Sequence, residues 1–143
     1  MARERRKLDS TSEPNSETTQ QLSDSKTSVL VVDDDIRILN FIRVSLGNAG
    51  YDVITATGGR DALNLVDSAK PDVMVLDLVM SPIDGFEVLE KLRKTSDMPV
   101  IVITAHSSAV SEALKLGASA FLNKPFDPDR LVREIKFLLS QRK

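Results

Sequence analysis

The feature that most constrains this chain is an exchange of two hydrophobic periods, repeated five times between Ser28 and the C-terminus. Runs of strand length read SVLVV (28–32), DVITA (52–56), DVMVL (72–76), VIVIT (100–104) and AFLN (120–123). The first, third and fourth are almost continuously apolar, as strands covered on both faces must be. The second and fifth are mixed, which suits the edges of a sheet. After each run the period changes to that of a helix. Ile38, Phe41, Ile42, Leu46 and Ala49 form the first stripe, interrupted by Ser45 and ended by Gly50. Ala62, Leu65, Val66 and Ala69 form the second, closed by Pro71, and Phe86, Leu89 and Leu92 the third. Ala109, Ala113 and Leu116 with Gly117 make a short fourth. Leu131, Ile135, Leu138 and Leu139 make the fifth, with Asp127 placed as N-cap and Pro128 at the first helical position. Five βα units in series predict an α/β fold: a parallel sheet with helices on both faces, joined by right-handed crossovers.

Residues 1–27 lie outside this pattern. They are rich in Ser, Thr, Glu, Gln, Asp and Lys and carry few large aliphatics, so they cannot bury enough apolar surface to offset the entropy of ordering. The stretch reads as a disordered tail that leaves the first strand away from its carboxyl end. Its basic cluster, Arg3, Arg5, Arg6 and Lys7, reads as a solvated end, because acidic residues balance it. With 143 residues the chain suits one domain. It has no cysteine, which excludes disulfides and thiolate metal sites. No apolar run approaches the roughly 20 residues needed to span a bilayer, and no signal-peptide core follows the charged start. The expected location is the cytoplasm, with no membrane contact. A formal net charge of −2 gives no electrostatic drive toward nucleic acid.

In an open parallel sheet, ligands bind beyond the carboxyl ends of the strands. The residues found there are Asp33, Asp34 and Asp35 after the first strand, Asp77 after the third, Thr104 at the end of the fourth, and Lys124–Pro125 after the fifth. They come from four distant segments that the fold should converge on one edge. Three carboxylates, Asp33, Asp34 and Asp77, held close together repel one another. An oxygen-liking divalent cation such as Mg2+ relieves that repulsion. Asp77 could then act as a carboxylate nucleophile toward phosphorus. Lys124 supplies a point charge for one phosphoryl oxygen and the Thr104 hydroxyl a hydrogen bond for another. Magnesium should therefore stabilise the fold, and Asp34→Ala should stabilise the metal-free form. Asp35 reads as a helix cap, as does Asp84 before Gly85.

VLVVDDD, VMVLD with DG seven residues after its aspartate, VIVITA and LNKPF together resemble the receiver domain of two-component response regulators, over residues 28–143. The resemblance implies a flavodoxin-like, doubly wound sheet of order 2-1-3-4-5. It implies Asp77 as phosphoacceptor, with Asp34, Asp77 and the Val79 backbone carbonyl as magnesium ligands and Asp33 acting through water. Thr104 and Phe121 become the switch pair, Lys124 the phosphoryl-sensing lysine, and Lys124–Pro125 a cis peptide. The implied donor is a sensor histidine kinase or a histidine phosphotransfer protein. The output surface is the face of the fourth helix, fifth strand and fifth helix, on a monomer or weak homodimer. With no output domain after Lys143, the sequence reads as a stand-alone receiver.

Two departures from the family pattern stand out. Ser81–Pro82 replaces a proline expected at 81, and the Thr104–Lys124 segment is short, which trims the fourth helix or the loop leading into it. His106, the only histidine, falls near the pocket mouth, where it and Val79 could control water access to an acyl phosphate. Two rival readings remain. An aspartate-nucleophile phosphatase could use the Asp33-x-Asp35 pair, but Arg37 and an unexplained Asp77 oppose it. A phosphorylation-independent receiver-like binding module would not need so complete a pocket. A flavin site is disfavoured by the acidic first loop, where a phosphate cradle needs glycines.

Overall fold

The computed structural model describes residues 26–80 and 83–142. The predicted tail therefore lies outside the described residues, apart from its last two positions, and so does the Ser81–Pro82 step. Strands β1 (Ser28–Val32), β2 (Asp52–Ala56), β3 (Val73–Asp77), β4 (Val100–Thr104) and β5 (Ala120–Asn123) alternate with helices α1 (Ile36–Asn48), α2 (Gly59–Ala69), α3 (Gly85–Leu92), α4 (Val110–Lys115) and α5 (Pro128–Ser140). All pairings are parallel and the order is β2-β1-β3-β4-β5. The sheet is the expected doubly wound one, with the two mixed strands at its edges. β3 begins one residue later than the apolar run suggested. Asp72 instead ties the bottom of the sheet, its carboxylate accepting from the Ser28 N–H at 2.8 Å.

Period-2 alternation explains how one sheet serves two cores. Leu30, Val32, Met74, Leu76, Val100 and Val102 face one side, where they pack with residues of α2, α3 and α4. Val29, Val31, Val73, Val75, Ile101 and Ile103 face the other and meet α1 and α5. Burying each such side chain contributes roughly 1.5–3 kcal/mol.

The sequence placed the buried face of α1 correctly at Ile42 and Leu46, with Ile38 packed beside them, but missed Leu39 and included Phe41 and Ala49. Leu39, Ile42 and Leu46 are buried, whereas Phe41 is 50% exposed and Ala49 is also exposed. Seven large apolar residues in thirteen positions left more than one stripe possible, and packing selected the one through Leu39. Phe41 meets the Phe126 ring edge-on instead, with centroids 6.4 Å apart. Val88 is likewise buried in α3, while Phe86 is only half-buried, and Ala69 of α2 is exposed. The helix ends follow local chemistry as expected. The carboxylates of Asp35, Asp84 and Asp127 accept from the N–H groups of Arg37, Glu87 and Asp129, and Gly50 follows α1 with φ of +99°. The fourth helix is short, six residues after a 3-10 turn at Ser107–Ala109.

Candidate functional site

Asp33, Asp77 and Thr104 are the buried polar residues among the described residues, and all three stand at the carboxyl ends of strands. The register puts them together: β1 and β4 flank β3, and Asp77 pairs with Ile103, one residue before Thr104. Lys124 arrives from the neighbouring strand end, its N–H donating to the Thr104 carbonyl at 2.9 Å. The Lys124–Pro125 peptide is cis.

The Lys124 ammonium lies between two carboxylates, 3.3 Å from Asp33 Oδ2 and 3.4 Å from Asp77 Oδ1. Asp33 also accepts the Asp35 N–H at 2.9 Å, and Asp77 the Val79 N–H at 3.4 Å. Asp34 is exposed beside them, and oxygens of Asp33, Asp34 and Asp77 all lie within 4.8 Å of one another. Burial, and after it the Asp33 charge, push Asp77 up to about 6, against the opposing pull of Lys124 and the Val79 N–H. Asp35 is bound elsewhere: its side chain accepts both the backbone and the guanidinium N–H groups of Arg37.

A cleft of about 220 Å³ opens over this cluster, lined by the three aspartates, Val79, His106 and Lys124 among others. Thr104 is fully buried just beneath it, and its Oγ accepts the His106 N–H at 3.0 Å. Phe121 stands apart on β5, 39% exposed. A larger apolar hollow, about 500 Å³, adjoins the cleft along the Lys124 stem and is walled by Ile38, Phe41 and Phe126.

Gly85 carries a role the sequence reading did not assign. A Cβ at that position would come within 2.6 Å of the Asp77 carbonyl oxygen and of Leu78 Cα, both backbone atoms. The Gly85 N–H bonds the Leu78 carbonyl at 2.9 Å, so the start of α3 abuts the strand end that bears Asp77. Glycine is a poorer helix former than alanine, and its use at the first position of α3 was the available signal. Gly85→Ala should destabilise the protein by about 2 kcal/mol or more through forced backbone movement. Urea melts measure this, and a change under 0.5 kcal/mol would show that the contact yields freely.

The sequence model of the response regulator receiver domain matches residues 29–136. The chain belongs to that family. Response regulator MprA of Mycolicibacterium vanbaalenii is 44% identical over 115 residues, covering 78% of this chain and 49% of its own. The alkaline phosphatase synthesis transcriptional regulatory protein PhoP of Bacillus subtilis is 38% identical over 114 residues, covering 78% and 48%. Among solved structures, the receiver domain of Francisella response regulator 1452 superposes with a TM-score of 0.77 at 36% identity, over 82% of this chain and 99% of that one. The chain spans about half the length of the curated relatives it matches. As a receiver it is a component of two-component signalling. No helix among its described residues is long and apolar enough to cross a membrane.

Proposed function

We propose that this receiver accepts a phosphoryl group on Asp77 from the phosphohistidine of a sensor kinase or phosphotransfer protein in the cytoplasm. The strongest support is the buried constellation itself. A receiver that did not take up phosphate would have no use for two buried carboxylates held on one lysine.

Three carboxylates against one ammonium leave a double negative charge in the cleft, and the donors are all hard oxygens. That chemistry fits Mg2+, with Asp34, Asp77 and the Val79 carbonyl as its ligands and Asp33 reaching it through water. When bound, the ion neutralises the negative charge that a phosphoryl group brings into the cleft. The chain's own residues do the rest. An Asp77 carboxylate oxygen forms the new O–P bond as the donor's P–N bond breaks, and the departing imidazole takes up a proton. Lys124 is placed to pair with a phosphoryl oxygen. The Thr104 hydroxyl keeps a proton to donate while its oxygen accepts from His106. The burial of Thr104 and the exposure of Phe121 are consistent with a readout that turns the aromatic ring inward. The output surface is the face of α4, β5 and α5, presented to a downstream protein by a monomer or weak homodimer, without direct contact to nucleic acid. Capture of Asp35 by its capping role weighs against the phosphatase alternative, which needs that side chain free.

Incubation with acetyl phosphate and Mg2+ should add one phosphoryl group to the intact mass, and Asp77→Asn should add none. Turnover of a phosphate ester that survives Asp77→Ala but is lost in Asp33→Ala would instead establish the phosphatase.

A further inference from the structure

We propose that Gly59, at the start of α2, is a positioning residue for Asp77: its bare Cα sets how closely α3 presses on the strand end that carries the carboxylate. The glycine does not serve its own backbone. Left-handed φ among the described residues occurs at Gly50, Gly117 and Lys70, so alanine would suit the Gly59 backbone and favour the helix. What alanine lacks is room. A Cβ on Gly59 would lie 2.8 Å from both Ile83 Cγ2 and Val88 Cγ2, and 3.0 Å from Ile83 Cβ.

These neighbours cannot step aside cheaply. Both are β-branched and stiff at χ1. Val88 is fully buried, and Ile83 packs against the same core. Displacing them means displacing the backbone that bears them, which is the start of α3. Ile83 precedes Gly85 by two residues and Val88 follows it by three. The far side of that backbone is already in contact. A Cβ on Gly85 would lie 2.6 Å from the Asp77 carbonyl oxygen and from Leu78 Cα, and the Gly85 N–H is bonded to the Leu78 carbonyl. Two glycines thus stack three backbones, α2 on α3 and α3 on the end of β3. A thrust at Gly59 has a close-packed path to Asp77.

The same junction reaches the other buried carboxylate. β2 ends at Ala56, three residues before Gly59, and the Ala56 carbonyl accepts the Asp33 N–H at 3.2 Å. The turn from β2 into α2 therefore braces both acidic strand ends from behind. None of its residues lines the cleft, so it acts by position alone. Its consequence for a bound cation rests on the phosphoacceptor reading above; the contacts do not.

Amide NMR spectra of the full chain test this through a double-mutant cycle of Gly59→Ala and Val88→Ala. Val88→Ala removes one of the two crowded side chains and leaves space into which Ile83 can settle. In metal-free protein, Gly59→Ala should shift the Asp77 and Leu78 amides strongly in the wild-type background and weakly in the Val88→Ala background. Titration with Mg2+, followed at the Asp34 and Val79 amides, should show half-saturation raised about fivefold by Gly59→Ala in the first background and less than about twofold in the second. Ala62→Gly serves as the control. It weakens the same helix at a fully buried position without adding an atom, and should leave the Mg2+ half-saturation unchanged. Amide changes confined to α2, equal effects of Gly59→Ala in both backgrounds, or a fivefold effect of Ala62→Gly would overturn the proposal. A wild type whose amides ignore Mg2+ counts against the magnesium reading alone, and the metal-free cycle then decides the role of Gly59 by itself.

Discussion

Lys124→Met should destabilise the metal-free protein by about 3 kcal/mol at pH 7.5, and by much less at pH 5. The ammonium is the sole cation bridging Asp33 and Asp77 among the described residues, and both carboxylates are almost fully buried. Removing one partner from a buried ion pair typically costs 3–5 kcal/mol, because the charge left behind has neither water nor a counter-ion. Here two charges are left behind, close together. The folded protein can escape the penalty by protonating one of them, and Asp77, already raised to about 6, is the group placed to do so. Acid should therefore restore most of the loss. Urea titrations of both proteins at the two pH values measure it. Equal destabilisation at both would mean that methionine disturbs packing and not charge.

The second large effect is the pH dependence of wild-type stability without a divalent cation. Asp77 titrates in the folded protein near 6, above its ordinary value of 3.8. The folded state thus holds this proton more tightly than the unfolded chain does, and stability from this group is lost as pH rises from about 4 through 6. Between pH 4.5 and 7.5 the loss should be about 2 kcal/mol. Other carboxylates titrate in the same range with the opposite sign. Asp35, for instance, is held low by Arg37. The quantity to read is therefore the difference between wild type and Asp77→Asn, which should grow in favour of the variant toward neutral pH. A flat difference curve would refute the burial account of this site. Desolvation outweighs the Asp33 charge among the causes. The repulsion that the sequence suggested relieving at exposed Asp34 is therefore better relieved at Asp77.

Much of this was legible in the sequence because a doubly covered parallel sheet leaves little choice. Short apolar or mixed runs between helical stripes fixed four of the five strands to the residue, and strand order follows from the family resemblance. The site residues were legible for a related reason. A strand end is a fixed place in this fold, so Asp33, Asp77, Thr104 and Lys124 could be assigned to one edge from sequence position alone. What could not be read was anything depending on distance between side chains. The choice of Leu39 over Phe41 as the buried residue of α1 depends on which stripe fits the space left by β1 and α5. That Thr104 lies below the cleft with its oxygen engaged by His106 is a matter of loop path. Gly85 was read as part of a helix cap because its real constraint, the Asp77 carbonyl, is eight positions away in the chain. Arg93, whose Nε and Nη2 donate to the Gly117 carbonyl at 3.0 and 2.7 Å, drew no attention, since an arginine at a helix end usually reaches solvent.

The sheet's division of the interior has a consequence for how such a protein can diverge. α1 and α5 pack on one face while α2, α3 and α4 pack on the other, and the two cores share only the backbone of the strands. Substitutions on opposite sides are separated by a full layer and should combine additively. Selection could thus remodel one flank, for instance around Phe41, and leave the geometry of α4 on the far flank untouched. Changing the company that one flank keeps need not rewrite the other.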